Sequence, residues 1–361
     1  MMELGFLDLI NSNRWQVIQD YFSQVINAGV RVVDCNGEPL TSLSKPCRYC
    51  YELISSSPQA LSECNQCSLL SPVPQIKDDL FFKKQNFLDQ EGNIYYDQCS
   101  FFVNRIYIPI KLLEGNICGY IIIGPVVLGK RKAYTDYFNL SKNLELDINE
   151  VIDYIETIRV FSFNSIESIV KLFQEVVNCM VRSGYERIKN RTKNAVFLTE
   201  DQNKTNFYRG KMIQALFETA TEGVNAERAS VMLFDADSET LSIKVAKGIP
   251  DKISRNVKIR KGEGLAGWVA AENQILFIDH NFKNPRLISR LRQPQLKASL
   301  MVPIRSAKKV LGVLSLSTQA ENNKFTSENI NSIIQLTKMV DSALVGLSAD
   351  NRIQDLQDEE S

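Results

Sequence analysis

At about 100–200 residues per domain, a chain of 361 residues suggests two domains or three small ones. Hydrophobic residues are 44% and charged residues 23%, the balance of an ordinary globular chain, which excludes disorder, collagen and a coiled-coil rod as descriptions of the whole. Lys plus Arg and Asp plus Glu both number 42, so no basic excess drives binding to nucleic acid or to an anionic lipid surface, and neither is expected as a partner.

The first 27 residues place Leu7, Ile10, Trp15, Ile18, Phe22 and Val25 at helical spacing, and Gly29 then introduces a valine-rich strand over 30–33. Asp34-Cys35-Asn36-Gly37 supplies the turn that ends it. Four cysteines occupy 46–70 among helix-like stretches. Residues 94–102, 106–111 and 119–127 read as strands, with Glu114-Gly115-Asn116 turning between the last two. From Asn164, which forms a candidate capping pair with Glu167, a helix carries an apolar stripe through Ile166, Phe173 and Val177 to Val181. The polar and charged residues 187–206 are expected to link a first domain at 1–186 to a second at 207–347. In the second, a helix precedes strands at 229–235, 240–247, 275–279, 299–305 and 310–317, and Thr326 caps a closing helix. Short strands separated by turns predict an α+β domain with an antiparallel sheet. Residues 348–361 form a polar tail.

The longest apolar run, Ile117 to Leu128, is interrupted by Gly119, Gly124 and Pro125 and is shorter than the ~20 residues of a membrane span. The N-terminus has neither a basic stretch nor a small-residue cleavage site, so a cytoplasmic protein is expected. A single histidine removes most Ser/His/Asp, Cys/His and His-rich metal constellations. Chemistry would have to come from Cys, Lys, Tyr or carboxylates.

Two CxxC pairs, Cys47-Arg48-Tyr49-Cys50 and Cys64-Asn65-Gln66-Cys67, lie thirteen residues apart, with Cys99 further on. Each CxxC turn can present two thiolates to one ion and a second turn completes four, the spacing of a zinc site or, alternatively, an iron–sulfur cluster. A ligand- or redox-responsive thiol group and inert packing are the other readings of the same residues. Cys35, Cys118 and Cys179 lie in apolar contexts that point to packing.

Gly262-Glu263-Gly264-Leu265-Ala266-Gly267 matches GxGxxG, but residues 256–260 before it alternate polar and apolar, and the helix after it ends near Asn273. No nicotinamide cofactor is expected. His280 follows a strand at the mouth of the expected second pocket, Trp268 belongs to the Gly-rich segment, and Arg286, Arg290 and Arg292 form either a solvated face or a clamp for an anionic ligand. On strands, Tyr107 and Tyr120 can line a pocket with their rings while their hydroxyls orient a small polar metabolite, or they can simply pack on the sheet.

Residues 1 to about 185 resemble the PocR sensory family. The resemblance is carried by the first helix leading to Val32-Val33-Asp34-Cys35-Asn36-Gly37-Glu38-Pro39-Leu40, by Cys50 to Ile54 and Ser57-Pro58 running to Cys64, and by Cys99 before Ile108-Pro109-Ile110 and Gly119-Tyr120. It implies a PAS-like sheet that senses small organic molecules with cysteines near its pocket. Family members carry Cys-His where this chain has Cys99-Ser100, which leaves open whether Cys47, Cys50, Cys64 and Cys67 group together or with Cys99. Residues 207–347 resemble a GAF domain through Ala229 to Asp235, Gly262 to Val269, Ile275 to Asp279, Ser299 to Ile304 and Leu311 to Leu316. Asn323-Lys324-Phe325 repeats only the first part of the motif of cyclic-nucleotide GAF domains, and the absence of cysteine after Cys179 excludes a thioether-linked bilin there.

The expected fold is therefore α+β in two domains, a PAS-like antiparallel sheet and a GAF antiparallel sheet flanked by helices, joined by a helical linker. The expected function is a cytoplasmic signal-transduction sensor without catalysis of its own. It would bind a small-molecule ligand beside a cysteine-held metal or thiol cluster, with the GAF domain regulating or dimerising. Kinase, cyclase and DNA-recognition signatures are missing, so output is expected through a signalling protein supplied in trans. A homodimer is expected through the 166–181 stripe and the heptad-like Ile333, Leu336, Val340, Ala343 and Leu347. The rival from another class is a thiol- or metal-dependent redox enzyme using the same cysteines.

Overall fold

Asn11 breaks the expected first helix in two. Its side-chain oxygen accepts the Arg14 N–H at 2.9 Å, capping α2 (Ser12–Ile26) and leaving Phe6–Leu9 as a separate short α1. Asn27, left-handed with φ 53°, ends α2 and turns the chain into β1 (Gly29–Val33). A π-helical turn (Tyr49–Ile54), α3 (Pro58–Cys64), β2 (Asn86–Phe87), β3 (Tyr95–Gln98), β4 (Asn104–Lys111) and β5 (Ile117–Leu128) follow. After them come α4 (Tyr134–Asn143), α5 (Ile148–Thr157), β6 (Val160–Phe161) and α6 (Phe163–Arg191). The computed structural model describes residues 5–64, 86–88, 93–112, 116–191, 198–235, 239–289, 297–319 and 325–347, and it divides into two units, Met1–Val196 and Phe197–Ser361. Glu114 and Gly115 of the expected turn and the whole expected tail lie outside the described residues.

In the first unit the strands run in the order β1-β5-β4-β3-β2, all antiparallel, with β6 added parallel to the end of β5. Side chains alternate across a strand, so the register defines two faces. Val30, Val32, Ile106, Ile108, Ile121 and Ile123 point one way and are fully buried, on the side of the sheet where α2 meets β1 and α6 meets β4. Between those helices Trp15 and Phe22 stack on Phe173 with centroids 5.6 and 3.8 Å apart. The stripe on α6 is therefore consumed inside the unit: Ile166, Val170, Phe173 and Val177 are all buried. The helix is capped by Ser162, whose Oγ accepts the Ser165 N–H at 3.2 Å, and not by Asn164.

A segment at 39–44 lies along the outer edge of β1. Its backbone bonds back through Leu40 N–H to the Val32 carbonyl and through mutual bonds between Ser44 and Val30. Gln19 on α2, fully buried, fixes this strap: its Nε2 lies 2.8 Å from Val30 O, Ser42 O and Ser44 Oγ, three acceptors that share its two hydrogens, while Oε1 accepts from Thr41 Oγ1 at 2.8 Å.

The second unit comprises α7 (Leu198–Gly223), β7 (Arg228–Phe234), β8 (Thr240–Lys247), α8 (Asp251–Asn256), β9 (Lys258–Arg260), α9 (Gly264–Glu272) and β10 (Leu276–Ile278). It continues with α10 (Pro285–Ile288), β11 (Ala298–Ser306), β12 (Lys309–Thr318) and α11 (Ser327–Leu347). Its sheet runs β10-β11-β12-β7-β8-β9, wholly antiparallel. The expected linker is helical at both ends, since α6 reaches Arg191 and α7 starts at Leu198. Thr326 caps α11 as expected, accepting the Asn329 N–H at 3.1 Å. Ile333, Leu336, Val340, Ala343 and Leu347 are buried, where α11 packs on α7 and β11, so the heptad-like stripe is core and not a free seam for a second copy. The Gly-rich segment is also explained by packing. β9 pairs antiparallel with β8, and a Cβ on Gly267 would stand 2.4 Å from the Arg260 carbonyl oxygen, so glycine lets α9 close against β9. No helix among the described residues is long and apolar enough to cross a membrane.

Candidate functional site

The other face of the first sheet gathers the residues the sequence singles out. Arg31, Ile122, Tyr107 and Tyr95 stand opposite one another in one cross-strand row, and Val33, Tyr120 and Pro109 in the next. One step further, Gly29 faces Gly124; a Cβ on Gly29 would come within 2.8 Å of the Gly124 carbonyl oxygen, which only glycine avoids. Leu43, Cys47, Cys50, Tyr51 and Pro125 surround this bare spot, leaving a cavity of about 10 Å³, room for roughly one water.

Cys47 and Cys50 sit on a tight turn in which the Cys47 carbonyl accepts the N–H groups of Cys50 and Tyr51 at 3.1 and 2.9 Å. A thiol–thiol hydrogen bond with Cys50 brings the Cys47 thiol down to about 7, against the opposing effect of burial. Between them in sequence lies Tyr49, fully buried, whose hydroxyl donates to the Phe101 carbonyl at 3.2 Å. That bond ties the CxxC turn to the 99–102 turn, which is closed by Phe102 N–H on Cys99 O at 3.1 Å. Burial, reinforced by Cys99, Cys50 and Cys47, holds the Tyr49 phenol far above its ordinary range, so it stays protonated and remains a donor. Sequence reasoning missed Tyr49, although an aromatic enclosed by two thiols was the available signal. It also missed Arg105, buried beside Gly124 and paired with Asp97 through Nε at 2.9 Å and through Nη2.

Cys47, Cys50, Cys64 and Cys99 pack in one core cluster with Tyr49, Tyr107 and Tyr120. Cys67 lies outside the described residues. Among the described residues no three His, Cys, Asp or Glu side chains are grouped to hold a metal, so these four thiols converge without composing a coordination sphere themselves. Burial pushes the Tyr120 hydroxyl up to about 12, helped by Cys35 and Tyr95, and the Cys118 thiol up to about 11, helped by Cys35. Cys35 itself is exposed on the 34–37 turn, its Sγ donating to Ile117 O at 3.1 Å, and so is not the packed residue its context predicts.

In the second unit only one of the three expected pocket residues reaches the interior. Trp268 on α9 packs, half-buried, against the cluster of Met232, Leu265, Val269 and Val313. His280 is 72% exposed at its side chain, with Nδ1 4.0 Å from Asp279, because β10 ends at Ile278 and Asp279 Oδ1 turns the chain outward by accepting the Asn281 N–H. Arg286 is exposed on α10, and Arg290 and Arg292 lie outside the described residues.

The chain matches two family models, a sensory domain found in PocR over residues 8–185 and a GAF domain over 209–344. No curated relative matches it. Among solved structures, it is similar to the GAF domain of an Acinetobacter phosphoenolpyruvate-protein phosphotransferase, at 16% identity over 42% of this chain and 94% of that one, with a TM-score of 0.33. A free methionine-R-sulfoxide reductase from Neisseria meningitidis, solved with its substrate, is similar at 18% identity over 37% and 78%, with a TM-score of 0.31. A Staphylococcus aureus NreA protein, mutated in its nitrate binding site, is similar at 21% identity over 30% and 86%, with a TM-score of 0.26. With their antiparallel sheets and flanking helices, the two halves of this chain are a PocR sensory domain at 8–185 and a GAF domain at 209–344.

Proposed function

We propose that the protein is a cytoplasmic signal-transduction sensor without catalysis of its own, whose PocR domain takes a small organic ligand on the tyrosine- and thiol-bearing face of its sheet. The observation that carries this reading is the convergence of Tyr107, Tyr120, Tyr49, Cys47, Cys50 and Cys99 in one cluster on the face opposite the packed helices. Apolar walls with a few placed polar groups are what small-molecule sites use. A ligand larger than water has to displace the roof around Cys47 and Tyr51, and that displacement is the step by which binding would become a signal. Output would pass to a partner protein, with the GAF domain as the regulatory or dimerising module; because both apolar stripes are core, a second copy would have to meet other surfaces.

Hydrogen exchange of the full chain, with and without a panel of small alcohols, diols and carboxylic acids, tests this. A ligand should protect peptides within 104–128; protection confined to 228–318 would move sensing to the GAF domain. A second reading, zinc or an iron–sulfur cluster on Cys47 and Cys50 completed from Cys64, Cys67 and Cys99, is favoured by the close Cys47–Cys50 pair. Metal analysis of anaerobically purified protein tests it, together with the melting of Cys64→Ser: absent metal and unchanged melting would end it, and a brown protein would choose iron. Thiol turnover with a disulfide substrate would instead support the redox enzyme.

A further inference from the structure

The β1–β5 ladder pairs Gly29 with Gly124 and continues to Val33 with Tyr120, where β1 ends. The two chains stay together beyond it. A Cβ on Gly119 would stand 2.5 Å from the Val33 carbonyl oxygen and 3.6 Å from Asp34 Cα, so glycine lets β5 lie against the start of the 34–37 turn. Continuing the register sets Asp34 opposite Gly119 and Cys35 opposite Cys118. Cys35 Sγ bears this out by donating at 3.1 Å to the Ile117 carbonyl, which belongs to the peptide group leading into Cys118. Cys35 also adds to the effect of burial on the Cys118 thiol, so the two sulfurs lie within electrostatic reach of each other.

The turn that carries Cys35 is held in place. Asp34 Oδ1 accepts the N–H groups of Asn36 and Glu38, both at 2.8 Å, and the Gly37 N–H closes on the Asp34 carbonyl at 3.1 Å. Both cysteines are thiols in the structure, Cys35 exposed and Cys118 half-buried, and neither belongs to the core cluster that holds Cys47, Cys50, Cys64 and Cys99. Packing does not account for an exposed cysteine, since the free residue is among the most buried types. Directly opposite residues of an antiparallel pair have Cα atoms about 4.5–5.5 Å apart. A disulfide needs about 4.4–6.8 Å.

We propose that Cys35 and Cys118 are a redox modification site, at which a hydroperoxide converts the two thiols into a disulfide joining the 34–37 turn to β5. The Cys35 sulfur, open to solvent, attacks one peroxide oxygen: an S–O bond forms, the O–O bond breaks, and the thiol proton leaves with the other oxygen as an alcohol or water. The Cys118 sulfur then attacks the Cys35 sulfenic acid. The S–S bond forms, the S–O bond breaks, and the hydroxyl leaves as water with the Cys118 proton. Two thiols are oxidised by two electrons in all and one hydroperoxide is reduced. An exposed disulfide of this kind is easily reduced again, which suits a transient signal in a reducing compartment. Alternation along β5 puts Cys118 on the same face as Tyr120, so the bond would fasten the turn at the rim of the tyrosine row. The site adds an oxidant as a second input and does not depend on the ligand reading.

The test treats the reduced full chain with equimolar hydrogen peroxide, blocks remaining thiols with iodoacetamide and maps the peptides by mass spectrometry. A peptide joining Cys35 to Cys118 should appear, should revert with dithiothreitol, and should form at least about tenfold faster in the folded chain than in concentrated urea, because the fold holds the two sulfurs together. In Cys118→Ala, Cys35 should stop at the sulfenic acid and be trapped by dimedone more than in the parent. No joined peptide, an equal rate in urea, a Cys35–Cys35 bond between two copies in its place, or dimedone trapping no greater than in the parent would overturn the proposal. Failure of the ligand reading would show separately, as missing exchange protection in 104–128.

Discussion

The two sheets are built alike and differ on one face. Each packs an aliphatic face against helices, Val30 to Ile123 in the first domain and Val231 to Leu316 in the second, and those faces are interchangeable in chemistry. The opposite faces are not. The PocR face carries tyrosines and thiols, with Tyr49 held protonated and Cys47 brought down to about 7; the GAF face carries serines and methionines, with Arg228 at the end of one row. Both faces of each sheet are covered, and the contrast lies in chemistry: one face packs aliphatic side chains alone, while the other packs side chains that also carry polar groups.

Trp15→Ala should break the comparison most severely. It removes a fully buried ring stacked on Phe173 and is expected to cost the first domain about 3–5 kcal/mol, while exchange protection in β7 and β12 stays unchanged. Loss of protection in both domains would show that they fold as one cooperative unit.

The second domain has its own titrating group away from the serine face. Burial raises the Asp341 carboxyl to about 7, although the Arg305 N–H at 2.7 Å and its guanidinium at 3.5 Å pull the other way. The folded state then holds a proton that the unfolded chain, titrating near 3.8, has lost. Stability should therefore fall as pH rises from about 4 to about 7, by at most about 1.4 kcal/mol per pH unit, and level off above. Asp341→Asn should flatten that slope in urea melts; an unchanged slope would mean the Arg305 contacts win.

Cys50→Ala sharpens the contrast on the PocR side. Without its thiol partner, Cys47 should return to the ordinary thiol range, and its alkylation by iodoacetamide at pH 7 should slow about tenfold, read peptide by peptide in a mass spectrometer. An unchanged rate would assign its acidity to the backbone N–H groups of Tyr49 and Cys50 instead. The smallest effects belong to His280→Ala and Arg286→Ala. Both residues are exposed, and each change should shift melting stability by within about 0.5 kcal/mol.

Strand periodicity and turn residues made most of the sheets legible: 240–247 coincides with β8 and most other expected strands differ by one or two residues at their ends, but the expected strand over 94–102 is only β3, because Cys99 to Phe102 form a turn. Where reading failed, a local hydrogen bond or a tertiary contact had decided. Asn11 split the first helix because its cap outcompeted the continuous apolar pattern. The three-residue β9 was too short for alternation to register. The helical stripes looked equally suited to a partner or to their own domain, since periodicity reports an apolar face and not what covers it. At the site, Tyr107, Tyr120 and the cysteines were legible because residue type and spacing marked them. The approach of Cys35 to Cys118 was not, because the two lie far apart in the chain and become neighbours only through register.

The strap at 39–44 bears on how the protein survives in a crowded cell. An open sheet edge offers a row of unpaired N–H and C=O groups to any extended chain nearby, which is how ordered aggregates begin. β1, with four of its five residues buried and rich in valine, would be a strong template of this kind. Gln19 holds the strap where it occupies that edge, so one buried amide, remote from the tyrosine and thiol face, keeps the sensor from recruiting copies of itself into a growing sheet.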